Sequence, residues 1–115
     1  MYRYLLAILS ISSLLIAENK THRVPLLENR KVNAWKTIIM PNQPLKMHRH
    51  EYDRIVIGLN GGTLTKIEKT GETSKLIFEN NKVYWLPKDP PNTLHADINE
   101  SNKPIEVIVI ELKKD

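Results

Sequence analysis

The chain of 115 residues, 26% charged and 41% hydrophobic, is sized for one small globular domain and leaves no room for a second. Its formal net charge is +4, but the basic residues are scattered among acids and form no run of five or six, which argues against a nucleic-acid binder. There is no cysteine, so neither a disulfide nor a cysteine-linked lipid is available.

The segment "MYRYLLAILSISSLLIA" has one arginine, no acid and an apolar core from Leu5 to Ala17. At ~1.5 Å per residue that core makes about 20 Å of helix, short of the ~30 Å hydrocarbon layer. The pattern predicts a cleavable secretory signal over residues 1–17, with Ala17 at the cut and Leu15 where a small residue is preferred. An uncleaved anchor or a buried first helix is the alternative. Cleavage leaves residues 18–115, 98 residues with 16 basic and 13 acidic side chains, net +3. That domain is expected to be exported, periplasmic or secreted, with no stable membrane anchor. Without disulfides it must rely on its apolar core or on a partner subunit.

The remainder reads as strands and turns. "KVNAWKTIIM" is rich in β-branched and aromatic residues, and "PNQP" breaks it because proline cannot donate to a ladder. "YDRIVIGLN" follows, ended by "NGG", whose residues tolerate positive φ. "TLTKIEK", "SKLIFE", "KVYWLP", "TLHADI" and "IEVIVIEL" complete the series, separated by "TGET", Asn80-Asn81, "PKDPPN" and "NESNKP". About eight strands with turn signals every eight to twelve residues predict an all-β sandwich or small barrel with little helix.

Two strands are apolar on both faces. Ile55, Ile57 and Leu59 oppose Val56, and Ile105, Val107 and Val109 oppose Ile108, Ile110 and Leu112. A sheet with one wet face alternates apolar and polar residues. Burial of both faces implies a second layer, and a homodimer would supply one; a two-sheet sandwich covering its own faces is the alternative. Trp35, Tyr84 and Trp85 are expected to pack, with Trp35 or Trp85 as a candidate subunit contact.

Of four histidines, His22 reads as a surface residue near the mature N-terminus. His48 and His50 are two apart, so on a strand both imidazoles share one face. His95 comes from a separate strand and completes three legs of a possible metal site. No serine or cysteine nucleophile motif and no phosphate-cradling glycine loop occurs.

"PNQPLKMHRHEYDRIVIGLNGG" followed by "VYWLPKDPPNTLHADIN" resembles the two motifs of the cupins. The first has the form G-x5-H-x-H-x3/4-E-x6-G: Asn42 replaces its first glycine, His48 and His50 match, Arg54 replaces the glutamate, and Gly61 matches. The second has the form G-x5-P-x-G-x2-H-x3-N: Pro87, His95 and Asn99 match, Asp89 replaces its glycine, and the segment from Pro87 to His95 is longer than the pattern. "HRHEYD" is further similar to very small cupins related to a β-alanine degradation protein. The resemblance implies a single-domain cupin jelly-roll β-barrel with a metal pocket. It implies no reaction, because that fold hosts enzymes, sugar binders and sensors alike.

The implied cofactor is a divalent metal ion (Fe, Mn, Ni or Zn) on His48, His50 and His95. Strand parity also turns Tyr52 and Arg54 toward the pocket as candidate ligand-binding residues, and Asn99 is a candidate to cap a turn or to orient His95. With a guanidinium about 5 Å from a divalent ion, and an effective dielectric near ~20, repulsion is on the order of 6–7 kcal/mol. Three arrangements avoid it. Arg54 turns away or pairs with an acid; an anionic ligand bridges metal and Arg54; or no metal binds and the pocket takes a small anion. Asp53, through a bulge, and Asp97, by parity with His95, are candidate replacement carboxylates, with a surface or turn role as the alternative for each. Glu51 is expected to face outward. The expected function is therefore metal-dependent handling of a small molecule, anionic where Arg54 anchors it. A metal-free carboxylate binder and a dimeric interaction scaffold are the alternatives.

Overall fold

The computed structural model describes residues 20–114. The predicted signal segment lies outside them. The described residues form nine strands and no helix: β1 (His22–Glu28), β2 (Val32–Ile39), β3 (Leu45–His48), β4 (Arg54–Asn60), β5 (Gly62–Glu68), β6 (Thr73–Phe78), β7 (Val83–Leu86), β8 (His95–Ile98) and β9 (Ile105–Leu112). They build two antiparallel sheets, one ordered β1-β2-β9-β4-β7 and the other β3-β8-β5-β6.

The alternation expected for the long strands holds. Val56, Val107, Val109 and Ile105 point between the sheets and join Trp35, Ile39, Leu64 and Phe78 in one buried core. Burial of these branched and aromatic side chains, each worth roughly 1.5–3 kcal/mol, holds the layers together. On the other face of the five-stranded sheet, Ile55 pairs in register with Trp85 and Ile110, and Ile57 with Val83 and Ile108. The isoleucines there are half-buried, while Leu59, Val83 and Trp85 are exposed.

Backbone chemistry explains several turns. Gly71 in "TGET" has φ +94°, and Asn81 and Asn92 have φ 62° in the two breaks around β7. Asn42, standing where the cupin motif has glycine, has φ 56°; asparagine tolerates that left-handed region better than most residues. The "NGG" segment departs from expectation. Neither glycine there has positive φ, and the chain does not make a hairpin but passes from one sheet to the other. Gly61 answers to close packing instead: a Cβ at that position would lie 2.1 Å from the Phe78 carbonyl oxygen.

Candidate metal centre

The stretch around "HRH" is not one continuous strand. β3 ends at His48 in the four-stranded sheet, and β4 begins at Arg54 in the five-stranded sheet. The intervening residues cross between layers, so parity counted from His48 to Arg54 does not apply. The imidazoles nevertheless converge, held by other contacts. The His50 backbone N–H donates to Asp89 Oδ2 (2.8 Å), and the Asp89 N–H donates to the His50 carbonyl (2.9 Å). Arg49 donates to the carbonyls of Pro90 and Asp89, both at 3.1 Å. The loop carrying His50 is thus clamped to the loop that precedes β8. His95 opens β8 and is the register partner of His48.

The ring centroids of His48 and His95 lie 4.5 Å apart, those of His48 and His50 4.9 Å, and those of His50 and His95 5.7 Å. His50 and His95 are buried and His48 is half-buried. One ligand nitrogen from each ring falls within 4.8 Å of the others. Two ligands each ~2.1 Å from a shared ion lie at most about 4.2 Å apart, close to that bound.

Each imidazole has a neighbour at Nδ1. His48 Nδ1 lies 2.6 Å from the Lys46 carbonyl, which only accepts, so this nitrogen carries the proton. His95 Nδ1 lies 3.5 Å from Asp89 Oδ2, and His50 Nδ1 lies 3.7 Å from Glu111 Oε2. The Lys46 carbonyl leaves His48 Nε2 as the ligand atom, whereas the carboxylates near Nδ1 of His95 and His50 stand beyond hydrogen-bond distance. Burial holds His50 down to about 3, reinforced by Arg54 and His48, and burial likewise lowers His95. Both rings are therefore neutral at physiological pH, as metal ligation requires.

Acids surround the cluster. Asp97 is buried, with Oδ2 3.6 Å from His48 Nε2 and 3.8 Å from His95 Nε2. Burial pushes the carboxyls of Asp97 and Glu111 up. Burial also acts against the Asp89 charge, but the His50 N–H bond and the neighbouring His95 and Arg54 outweigh it and hold that carboxyl low. Among the described residues, two buried side-chain atoms have no hydrogen-bond partner: His48 Nε2 and Asp97 Oδ1. Leaving such atoms unsatisfied costs about 1–3 kcal/mol each. The unpartnered His48 Nε2 belongs to a set of three converging imidazoles that fits a divalent ion.

Arg54 is buried, as expected for an inward residue, and its Nη1 donates to the Pro87 carbonyl (3.1 Å). Burial lowers its pKa, while Asp89, Asp97 and Glu111 act to raise it. Arg54 is therefore both turned onto a carbonyl and balanced by acids. It lines a cavity of about 50 Å³ between the sheets, together with His50, His95, Asp97, Arg23 and the core. At roughly 10–15 Å³ per water centre, that is room for only a few atoms.

Other expected residues fall elsewhere. Tyr52 is half-buried in the crossing segment and does not line this cavity. Asp53 Oδ1 accepts the Lys88 N–H (2.9 Å), a turn role. Glu51 is exposed beside Arg49. Asn99 is fully buried; its Nδ2 donates to the carbonyls of Ile39 (2.9 Å) and Lys103 (2.6 Å), and its Oδ1 accepts from the backbone N–H and hydroxyl of Ser101. It caps the turn after β8, and its bonds go to that turn and to β2 rather than to His95. His22 sits on β1 with Nδ1 2.6 Å from the Lys20 carbonyl.

Three contributors were not anticipated. Arg23 reaches the cavity from β1, its guanidinium 4.6 Å from the centre of the Trp35 ring. Asp89 supports two histidines from the position where the motif has glycine. Glu111 follows the inward parity of Ile105, Val107 and Val109, and that alternation was the available signal.

Two antiparallel sheets closed on a common core, with a buried three-histidine cluster between them, define an all-β protein of cupin, or RmlC-like double-stranded β-helix, architecture. Solved structures agree. A cupin domain from Bordetella pertussis Tohama I superposes with TM-score 0.73 at 21% identity, over 83% of this chain and 95% of that one. An RmlC-like cupin family protein from Methanocaldococcus jannaschii gives 0.62 at 14%, over 82% and 81%. A cupin superfamily protein from Desulfitobacterium hafniense DCB-2 gives 0.60 at 14%, over 84% and 80%. No protein-family model and no curated protein matches the sequence.

Proposed function

We propose that this chain is an exported cupin that binds one divalent metal ion, Fe, Mn, Ni or Zn, through His48, His50 and His95, and that it handles a small anionic molecule beside that ion. The observation carrying this reading is the convergence of the three rings, which brings one ligand nitrogen from each within 4.8 Å of the others. His48 Nδ1 is held on the Lys46 carbonyl, which leaves its Nε2 as the ligand atom. A bound divalent ion would supply Lewis-acid polarisation of a ligand oxygen. The chain's own residues would do the rest. Arg54, and Arg23 at the strand edge, offer guanidinium forks suited to a carboxylate. Trp35, Val56 and Val107 exclude water from one side of the cavity. The small cavity favours a ligand of few heavy atoms. Similarity to the β-alanine degradation-like cupins is compatible with such a ligand and names no reaction.

Replacement of His48, His50 or His95 by alanine tests the reading. Each should abolish stoichiometric metal binding; retention of metal in all three variants would refute it. A metal-free carboxylate binder is the second reading, supported by Arg54 standing where the motif has a ligand carboxylate. It requires that a carboxylate stabilise the chelator-treated protein.

We further propose that a second copy covers the apolar outer face of the five-stranded sheet. The support is the cross-strand set Trp85, Ile55 and Ile110 beside Val83, Ile57 and Ile108. Light scattering of residues 18–115 should give a dimer mass, and Ile57→Lys should give a folded monomer. A wild-type monomer at micromolar concentration would contradict the proposal.

A further inference from the structure

Resting on that metal reading, we propose that Asp97 is the carboxylate ligand of the ion, supplied from β8 in place of the motif glutamate that Arg54 replaces on β4. Three observations carry this. First, Asp97 and His95 are two apart on β8, and both are buried. They form on that strand an inward pair that complements His48, the register partner of His95.

Second, the separations suit a shared ion and not a direct bond. Asp97 Oδ2 stands 3.6 Å from His48 Nε2 and 3.8 Å from His95 Nε2. Both exceed the roughly 2.7–3.2 Å of an N–H···O hydrogen bond. With each atom ~2.1 Å from one ion, these gaps correspond to ligand–metal–ligand angles of about 120–130°. Asp97 lies outside the three-histidine set whose ligand atoms all fall within 4.8 Å of one another, so its carboxylate would move inward to join the ion.

Third, His48 Nε2, which faces Asp97 Oδ2, has no hydrogen-bond partner, and neither does the other oxygen of that carboxylate, Oδ1. Of the acids near the cluster, Asp89 is committed to the His50 N–H, and Glu111 faces the Nδ1 side of its ring. Asp97 is the acid that approaches two Nε2 atoms. Its negative charge also offsets Arg54 for an arriving cation, which removes the difficulty that the arginine raises.

Cobalt(II) titration of wild-type and Asp97→Asn protein, followed by visible absorption, tests the inference. Thermal unfolding without metal checks that the variant folds. The expected result is one cobalt per chain in wild type, with affinity about 100-fold weaker or more in the variant and an altered d–d spectrum. Unchanged affinity and spectrum in the variant, with normal binding in wild type, would overturn the role of Asp97 while leaving the three-histidine reading intact. No binding in wild type would remove both. If the variant does not fold, wild type labelled with 13C-aspartate decides: a carboxylate stretch that shifts on adding Zn(II) supports the ligand, and an unmoved band overturns it.

Discussion

Arg54 and Glu111 are register partners on the adjacent strands β4 and β9, and both act on the same imidazole. Glu111 Oε2 is 3.7 Å from His50 Nδ1, and the Arg54 charge is among the causes that keep His50 unprotonated. A cation and an anion thus flank one ring. The buried Arg54 charge is answered first by Asp89, then by Asp97 and by Glu111 on the neighbouring strand.

Glu111 stands beside His50, one of the three proposed metal ligands. Glu111→Gln should weaken divalent metal binding about 10- to 100-fold, in the range found for groups that orient ligating histidines. The stoichiometry should stay at one ion per chain. Isothermal titration with Zn(II) separates the two quantities.

Arg54→Ala should have opposite effects on metal and anion. It removes a cation from the cavity, so affinity for the bare ion rises. It also removes the anchor, so the thermal stabilisation that a small dicarboxylate gives the metal-loaded protein falls to near zero. Arg54→Lys should recover part of it, since an ammonium lacks the bidentate fork. Thermal shift assays with and without the anion read both effects.

Acid should destabilise the metal-free protein through His50. Its pKa is about 3 in the fold against an ordinary 6.5, so between those values the unfolded chain binds the extra proton. The stability tied to neutral His50 is therefore fully present above pH 6.5 and is lost as pH falls toward 3. The loss is on the order of a few kcal/mol. Asp97 and Glu111, with raised carboxyls, have the opposite sign at the acid end of that window. The diagnostic quantity is thus a difference: His50→Gln should show a shallower decline in melting temperature from pH 7 to pH 4 than wild type.

Asn99→Ala should cost about 2–4 kcal/mol of stability, because its side chain is fully buried and joins the turn after β8 to β2. Urea unfolding measures this. Metal affinity at a temperature where the variant is folded should stay within a few-fold of wild type, as expected for a residue bonded to the turn and β2 rather than to His95.

The fold was legible where hydrophobic alternation was strong. β4 and β9 announced both their strands and the alternation of their faces, β2 announced a strand by composition alone, and the turn residues Gly71 and Asn81 marked their neighbours. β1, interrupted by Pro25, and the four-residue β3 gave little periodic signal, so Arg23 was missed with β1. The three histidines were legible from spacing and motif. Their supports were not, because Asp89 and Glu111 lie 39 and 61 positions from His50 and meet it only through strand pairing and loop clamping. Strand parity across "HRHEYDR" also failed, since the chain changes sheets there; Arg54 is inward for a different reason, as the first inward position of β4 beside Val56.

Metal content tests the central claim most directly. Residues 18–115, purified without chelator and analysed by inductively coupled plasma mass spectrometry, should carry about one Fe, Mn, Ni or Zn ion per chain, and His95→Ala should carry none. A metal-free wild type whose melting temperature does not move on adding any of the four ions would contradict the account.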